Sequence, residues 1–217
     1  MILRQIQQLI GGIYDVSLAH DVYDFLVTDR GALPAAARRA TSDEQLIVAA
    51  DGDAVGVSLY LDAQLLARLQ DADPIRALNA DNVQDYLTAL EGVSHFVYLA
   101  WNAEHDKPVS LHELELQAEI DKYVASCWVL KRQFPERFPA ELLRLLFERA
   151  RIDPQLAGSR VELYRSASRY AEKFCRRLER GLRGRASHGE REVLTELRRF
   201  YRLSDVRKLA HIERSGT

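Results

Sequence analysis

Residues 81–105 read DNVQDYLTALEGVSHFVYLAWNAEH, and they are the strongest indication of fold class in the chain. Apolar side chains recur at helical spacing from Val83 to Trp101, so this segment predicts a long helix. Between Val93 and Trp101 the predicted helix is apolar on almost every side, which is typical of a helix surrounded by other elements. The sequence therefore predicts a helical bundle with residues 81–105 near its centre.

A second long helix is predicted directly after this segment. Ser110 and Glu113 have the spacing of a capping box, in which each side chain accepts from a backbone N–H of the other residue. A helix is therefore expected over residues 111–132. Further helical patterns occur at residues 62–70, 140–151 and 159–182, and after residues 187 and 204.

The first part of the chain carries the β signal. Residues 45–50 and 54–61 flank Asp51-Gly52, a dipeptide that tolerates the positive φ angles of a tight hairpin turn. Because an isolated hairpin is marginally stable, this one should pack on the helices or pair with another strand. Residues 2–26 are predicted as a helix, although a strand over residues 23–28 competes with that interpretation.

Together these patterns predict a mainly α fold in an α+β arrangement. Residues 1–62 are expected to form an N-terminal segment with a β-hairpin. Residues 63–217 are expected to form the helical bundle, and the two parts to make one continuous domain.

The composition of the 217 residues is that of an ordinary globular protein, with 47% hydrophobic and 29% charged residues. Cys127 and Cys175 are the two cysteines, and they show no metal-binding or redox spacing, which favours a reducing, cytoplasmic compartment. No apolar run reaches the length of a signal peptide or a membrane span. We therefore expect no membrane association.

Charge is distributed unevenly along the chain. Residues 151–217 contain 17 Lys and Arg against 9 Asp and Glu, a balance of +8. Since the whole chain has a net charge of −2, residues 1–150 carry −10. Such asymmetry indicates either that the halves neutralise each other or that one half meets a charged partner.

Six cations recur at every third or fourth residue of the helix predicted over residues 159–182, and we call them the basic strip: Arg165, Arg169, Lys173, Arg176, Arg180 and Arg183. At 100° per residue they fall within a sector of about 80°. Water, the acidic half of the chain and an external anion compete for this face. Aromatic residues that could stack on bases are not interleaved with the cations, so an acidic protein is a more plausible partner than nucleic acid. The leading hypothesis is a non-catalytic binding or regulatory protein that contacts an acidic partner through the basic strip.

The alternative hypothesis is a metal-dependent helical-bundle enzyme. Glu91 and His95 share one side of the predicted central helix, and Glu115 and Glu119 share one side of the next. An antiparallel pair of helices would bring His95 level with Glu119. Carboxylate and imidazole groups on facing helices suit divalent iron, manganese or zinc. The competing interpretation is that Glu91 and His95 are a solvent-exposed pair one helical turn apart.

Common catalytic motifs are absent from the sequence. It contains no glycine-rich dinucleotide or phosphate loop, no G-x-S-x-G nucleophile turn and no H-E-x-x-H zinc motif. The sequence therefore indicates no substrate and no oligomeric state, and it does not decide between an enzyme and a binding protein.

Overall fold

Within residues 1–51, 54–148, 158–183 and 187–214, which the computed structural model describes, the chain forms eight α-helices and one three-stranded sheet. The predicted class, mainly α with a small β part, is confirmed. The helices are α1 (Ile2–Tyr14), α2 (Ala63–Asp71), α3 (Val83–Ala103), α4 (Leu111–Gln133), α5 (Leu142–Phe147), α6 (Gly158–Arg183), α7 (Ser187–Tyr201) and α8 (Asp205–Arg214). The strands are β1 (Leu26–Val27), β2 (Glu44–Asp51) and β3 (Ala54–Leu61).

Helix α3 lies at the centre of the fold. Three consecutive residues, Phe96, Val97 and Tyr98, are each only 1% exposed. Consecutive helical residues point about 100° apart, so their joint burial requires neighbours on several sides. These neighbours include α1, α4, β2 and β3. The central position predicted for residues 81–105 is therefore confirmed.

The start of α4 follows the predicted cap. Ser110 Oγ accepts a hydrogen bond from the backbone N–H of Glu113 at 3.0 Å. Helix α2 begins in the same way, because the Asp62 side chain accepts from the backbone N–H of Gln64 at 2.8 Å. In both helices a short polar side chain satisfies a donor that the first turn leaves without a partner.

The helix predicted over residues 2–26 is wrong beyond residue 14. Helix α1 ends at Tyr14, and the next residue, Asp15, has a left-handed conformation with φ 54°. The chain then forms a 3-10 turn at Val22–Phe25 and the short strand β1, so the strand interpretation of residues 23–28 is correct for part of that range. A left-handed residue ends a helix because it turns the next peptide out of the hydrogen-bonding ladder.

The predicted hairpin is present. Strands β2 and β3 pair antiparallel from Glu44 opposite Leu61 to Asp51 opposite Ala54, while the turn residues Gly52 and Asp53 lie outside the described residues. Strand β1 pairs in parallel with β3, placing Leu26 opposite Leu59. The hairpin thus acquires a third strand on one edge and helix α3 on one face.

Both predicted parts of the chain contribute to one core. Leu3, Ile6 and Ile10 of α1 are fully buried in the same cluster as residues of α3, α4, α6 and α7. Helix α5 is shorter than the predicted range 140–151, and residues 149–157 lie outside the described part. None of the described helices has both the length and the apolar composition that crossing a bilayer requires.

Candidate metal centre

Three of the four predicted metal ligands come together between α3 and α4. One ligand atom from each of Glu91, His95 and Glu115 lies within 4.8 Å of the other two. His95 Nε2 is 3.8 Å from Glu115 Oε2. Around a tetrahedral ion with bonds of about 2.0–2.1 Å, neighbouring ligand atoms lie about 3.4 Å apart. Small rotations of these side chains would therefore bring the atoms to metal-binding distances.

His95 supplies an indication that is independent of the carboxylates. Its side chain is only 9% exposed, and Nε2 has no hydrogen-bond partner among the described residues. A buried ring nitrogen without a hydrogen bond costs free energy, because it has lost its contact with water, and Glu115 at 3.8 Å is too far away to accept one. Its orientation toward Glu115 points to a ligand bound between the two side chains.

Glu44 lies behind the ring, and the sequence reasoning missed it. Its Oε1 is 3.7 Å from His95 Nδ1. Strand β2 can approach α3 this closely because Gly92 has no side chain: a Cβ there would lie 2.8 Å from Glu44 Cγ. A carboxylate beside the ring nitrogen that does not bind the metal commonly orients a metal-binding histidine. A glycine inside an apolar helix was the available signal, because it often marks a close backbone approach.

Glu119, the fourth predicted ligand, has a different partner. Lys122 Nζ lies 2.5 Å from Glu119 Oε1 and 3.2 Å from Glu91 Oε2. Lys122 follows Glu119 by three residues on α4, so the two side chains share one face of the helix. His95 lies 3.8 Å from Glu115, whereas the predicted alignment of the two helices placed it level with Glu119.

Burial and neighbouring charges shift the protonation of the cluster. Burial by itself lowers the pKa of His95, but Glu44 and Glu115 outweigh that effect and raise the pKa to about 9. Burial raises the pKa of Glu115 to about 7 and also raises the pKa of Glu44. For Glu91, burial raises the pKa, but Lys122 and His95 outweigh it and hold the pKa below its usual value. Without a metal, a protonated imidazole therefore lies among the carboxylates.

A second buried polar network joins α8 to the α3–α4 pair. Lys208 is fully buried, and its Nζ donates to Tyr98 Oη and Gln117 Oε1, both at 2.8 Å. Gln117 in turn donates to Asp121 at 2.8 Å, and Ser94 donates to the same carboxylate at 2.6 Å. Burial lowers the pKa of Lys208 to about 7 and raises that of Asp121 to about 6. Because the polar atoms of this network pair with one another, it resembles a structural network more than a ligand site.

All six members of the basic strip are exposed on α6. Arg176 pairs with Glu172 at 2.5 Å, and Arg183 pairs with Glu179 at 3.3 Å. One ion pair between the strip and the acidic half joins Arg176 to Glu148 at 3.5 Å. The strip therefore faces solvent along most of its length.

A groove of about 730 Å³ lies away from both features. It runs between α1 and the end of α4 and is lined by residues that include Gln8, Trp128 and Arg132. None of the cluster residues lines it.

Comparisons with protein-family models, curated proteins and solved structures find no match to this chain.

Proposed function

We propose that this chain binds one divalent iron, manganese or zinc ion through Glu91, His95 and Glu115. The observation that carries the proposal is the buried Nε2 of His95, which has no hydrogen-bond partner and faces Glu115 within a group of three possible ligands. One imidazole and two carboxylates suit these ions better than they suit copper(I), which prefers sulfur ligands.

The charge of the cluster supports a cation as the ligand. Four carboxylate side chains, those of Glu44, Glu91, Glu115 and Glu119, surround the single ammonium group of Lys122 and the imidazole of His95. Several like charges placed close together in a poorly solvated site repel one another strongly. A divalent ion would reduce that repulsion.

The number of ligands favours a catalytic role for the ion. Structural zinc sites are closed by four protein ligands, whereas catalytic sites keep a position for water or substrate. Three protein ligands leave such a position. The Glu91 side chain is 30% exposed and that of Glu115 only 6%, so water and substrate would approach from the Glu91 side. A metal-dependent enzyme that activates bound water is therefore the function we favour.

Metal binding by wild-type protein and by a His95→Gln variant tests this proposal. Wild-type protein incubated with Fe²⁺, Mn²⁺ or Zn²⁺ and then dialysed should retain one ion per chain. His95→Gln should lower the affinity by roughly 100-fold or more, because the loss of a ligand should cost at least as much as the loss of a second-shell partner. The matched control is His105→Gln, which changes an exposed histidine beyond the end of α3. Retention of no ion, or equal retention by His95→Gln, would contradict the proposal.

A second candidate function rests on the basic strip. All six of its cations are exposed, which is what contact with an anionic partner requires. Glu172 and Glu179 lie among them, so the face has mixed charge. An acidic protein surface of mixed charge would fit this face better than the continuous phosphates of nucleic acid.

The cysteines support a cytoplasmic location as part of the proposal. Cys127 and Cys175 are both free thiols and both buried. Burial raises the pKa of the Cys127 thiol to about 12, which keeps it protonated and unreactive. Free, buried thiols are typical of proteins in reducing compartments.

A further inference from the structure

Lys122 places a fixed positive charge beside the three candidate metal ligands. Its Nζ contacts Glu119 Oε1 at 2.5 Å and Glu91 Oε2 at 3.2 Å. The Lys122 side chain is only 14% exposed, so these ion pairs are shielded from most of the solvent and are stronger than pairs on the surface. These ion pairs therefore hold the ammonium group in place between Glu91 and Glu119.

Glu91 takes part in two places where a cation can bind. Its Oε2 accepts a hydrogen bond from Lys122, and it also offers a ligand atom to the group with His95 and Glu115. A carboxylate has two oxygens, so it can bind one cation with each of them. Helical bundles that hold two metal ions use carboxylates from several helices to do so. Here the ammonium group occupies the place between Glu91 and Glu119 that a second ion would need.

We propose that Lys122 acts as a built-in second cation, which limits this site to one divalent ion per chain. The inference rests on the proposed metal-binding function. In this arrangement Glu91 contacts both the divalent ion and the ammonium group, whereas Glu119 contacts only the ammonium group. Removing the positive charge of Lys122 should convert the site into one that binds two ions, with Glu119 as an additional ligand.

The same arrangement keeps the metal coordination incomplete. Glu119 is not one of the three residues whose ligand atoms lie together, and its carboxylate pairs with Lys122 instead. The ion pair with Lys122 holds Glu119 away, and Glu91, His95 and Glu115 remain the protein ligands. Lys122 is thus a positioning residue that acts through Glu91 and Glu119.

The test measures Mn²⁺ stoichiometry in three proteins. Wild type and Lys122→Arg, which keeps the charge, should each bind one Mn²⁺ per chain by equilibrium dialysis. Lys122→Met, which keeps the apolar stem and loses the charge, should bind two. The electron paramagnetic resonance spectrum should then change from the hyperfine pattern of an isolated Mn²⁺ to that of a coupled pair. Lys122→Gln gives the same readout if the methionine variant does not fold.

A double variant identifies the second position. Adding Glu119→Gln to Lys122→Met should return the stoichiometry to one ion, because the additional ligand is lost. Binding of one ion by Lys122→Met and by Lys122→Gln would overturn the inference, and so would binding of two ions by Lys122→Arg.

The outcomes separate this inference from the proposed function. If wild type binds one ion that His95→Gln loses, and Lys122→Met also binds only one, then metal binding stands and the role of Lys122 is wrong. If wild type binds no ion, the proposed function fails, and the inference fails with it.

Discussion

Gly92 links the fold to the candidate metal centre at the scale of a single residue. A Cβ at this position would lie 2.8 Å from Glu44 Cγ and 2.9 Å from Leu59 Cδ1. Both distances are shorter than normal contacts, so a larger residue would force the Glu44 and Leu59 side chains, or the strands that carry them, to shift away from α3. The absence of a side chain is therefore what allows Glu44 to reach His95.

We predict that Gly92→Ala lowers the free energy of unfolding by about 1–3 kcal/mol, which is the usual cost of overpacking. It should also weaken metal binding, because Glu44 would move away from His95. The matched control is Gly12→Ala in α1, where a Cβ would have no atom within 4 Å; this change should stabilise the protein by about 0.5–1 kcal/mol. Urea denaturation measures the free energy of unfolding of both variants. Equal effects of the two substitutions would contradict the close approach at Gly92.

Lys208 makes stability depend on pH. Burial lowers the pKa of its amine from 10.5 to about 7, and Glu113, Asp121 and Asp205 oppose this shift only in part. Between these two pH values the unfolded chain holds a proton that the folded chain does not. The free energy of unfolding should therefore increase as the pH rises through this range, by up to about 1.4 kcal/mol per pH unit for one proton.

We predict that Lys208→Met removes this increase. Chemical denaturation of the wild type at pH 7.5, 8.5 and 9.5 should show stability rising relative to that of the variant. Lys173→Met is the control, because Lys173 is exposed on α6 and should not change the dependence on pH. Parallel stability profiles for wild type and Lys208→Met would show that Lys208 is charged in the folded protein.

At the scale of elements, two arginines of α7 and the following turn satisfy the end of α1. Arg198 donates to the carbonyl oxygens of residues 12 and 13 at 3.3 Å. Arg202 donates to those of residues 14 and 15 at 3.0 and 2.9 Å. The last carbonyl groups of a helix have no partner within it, and the negative end of the helix dipole attracts cations. These hydrogen bonds join the end of α1 to α7 and the turn that follows it.

We predict that Arg202→Leu lowers the free energy of unfolding by about 1–2 kcal/mol, because two carbonyl groups lose a charged donor. Arg199→Leu is the matched control: it removes an exposed arginine of α7 and should change stability by less than about 0.5 kcal/mol. Thermal and urea denaturation measure both variants. Hydrogen exchange should locate the loss of protection at the end of α1. Similar losses in both variants would show that the cap contributes nothing specific.

At the scale of the whole molecule, the positive charge of the C-terminal part is exposed along α6. Among the described residues, Arg165, Arg169 and Arg180 of the basic strip have no acidic partner. Their replacement should therefore cost little folding free energy. The same replacements should weaken binding to any partner that contacts the strip.

We predict that the triple variant Arg165→Glu, Arg169→Glu and Arg180→Glu stays within about 1 kcal/mol of wild-type stability. Poly-glutamate, used as an acidic probe, should bind wild type at low salt and bind less tightly as salt is added. The triple variant should bind at least roughly 10-fold more weakly.

A control triple, Arg38→Glu, Arg39→Glu and Arg207→Glu, makes the same change in net charge outside α6. Tighter binding to duplex DNA than to poly-glutamate would favour nucleic acid as the partner. Binding to neither probe would contradict a role for the strip in partner binding and would leave it as a face that contacts only solvent.

Local sequence patterns were sufficient for several features. The apolar periodicity of residues 81–105 predicted the central helix, Ser110 predicted the start of α4, and Asp51-Gly52 predicted the β2–β3 pairing. The spacing of the basic strip predicted that its six cations share one face of α6. Each of these depends on residues within a few positions of one another, whose geometry the helix or strand repeat sets directly.

Other features were decided by the tertiary structure alone. Glu44 meets His95 because Gly92 lets a strand approach α3, and Lys208 is buried because α8 packs against the α3–α4 pair. The spacing of Glu91 and His95 was visible in the sequence, but their burial, which separates a metal ligand from a surface pair, was not. Burial and partner choice depend on segments far apart in the chain, and no local repeat contains that information.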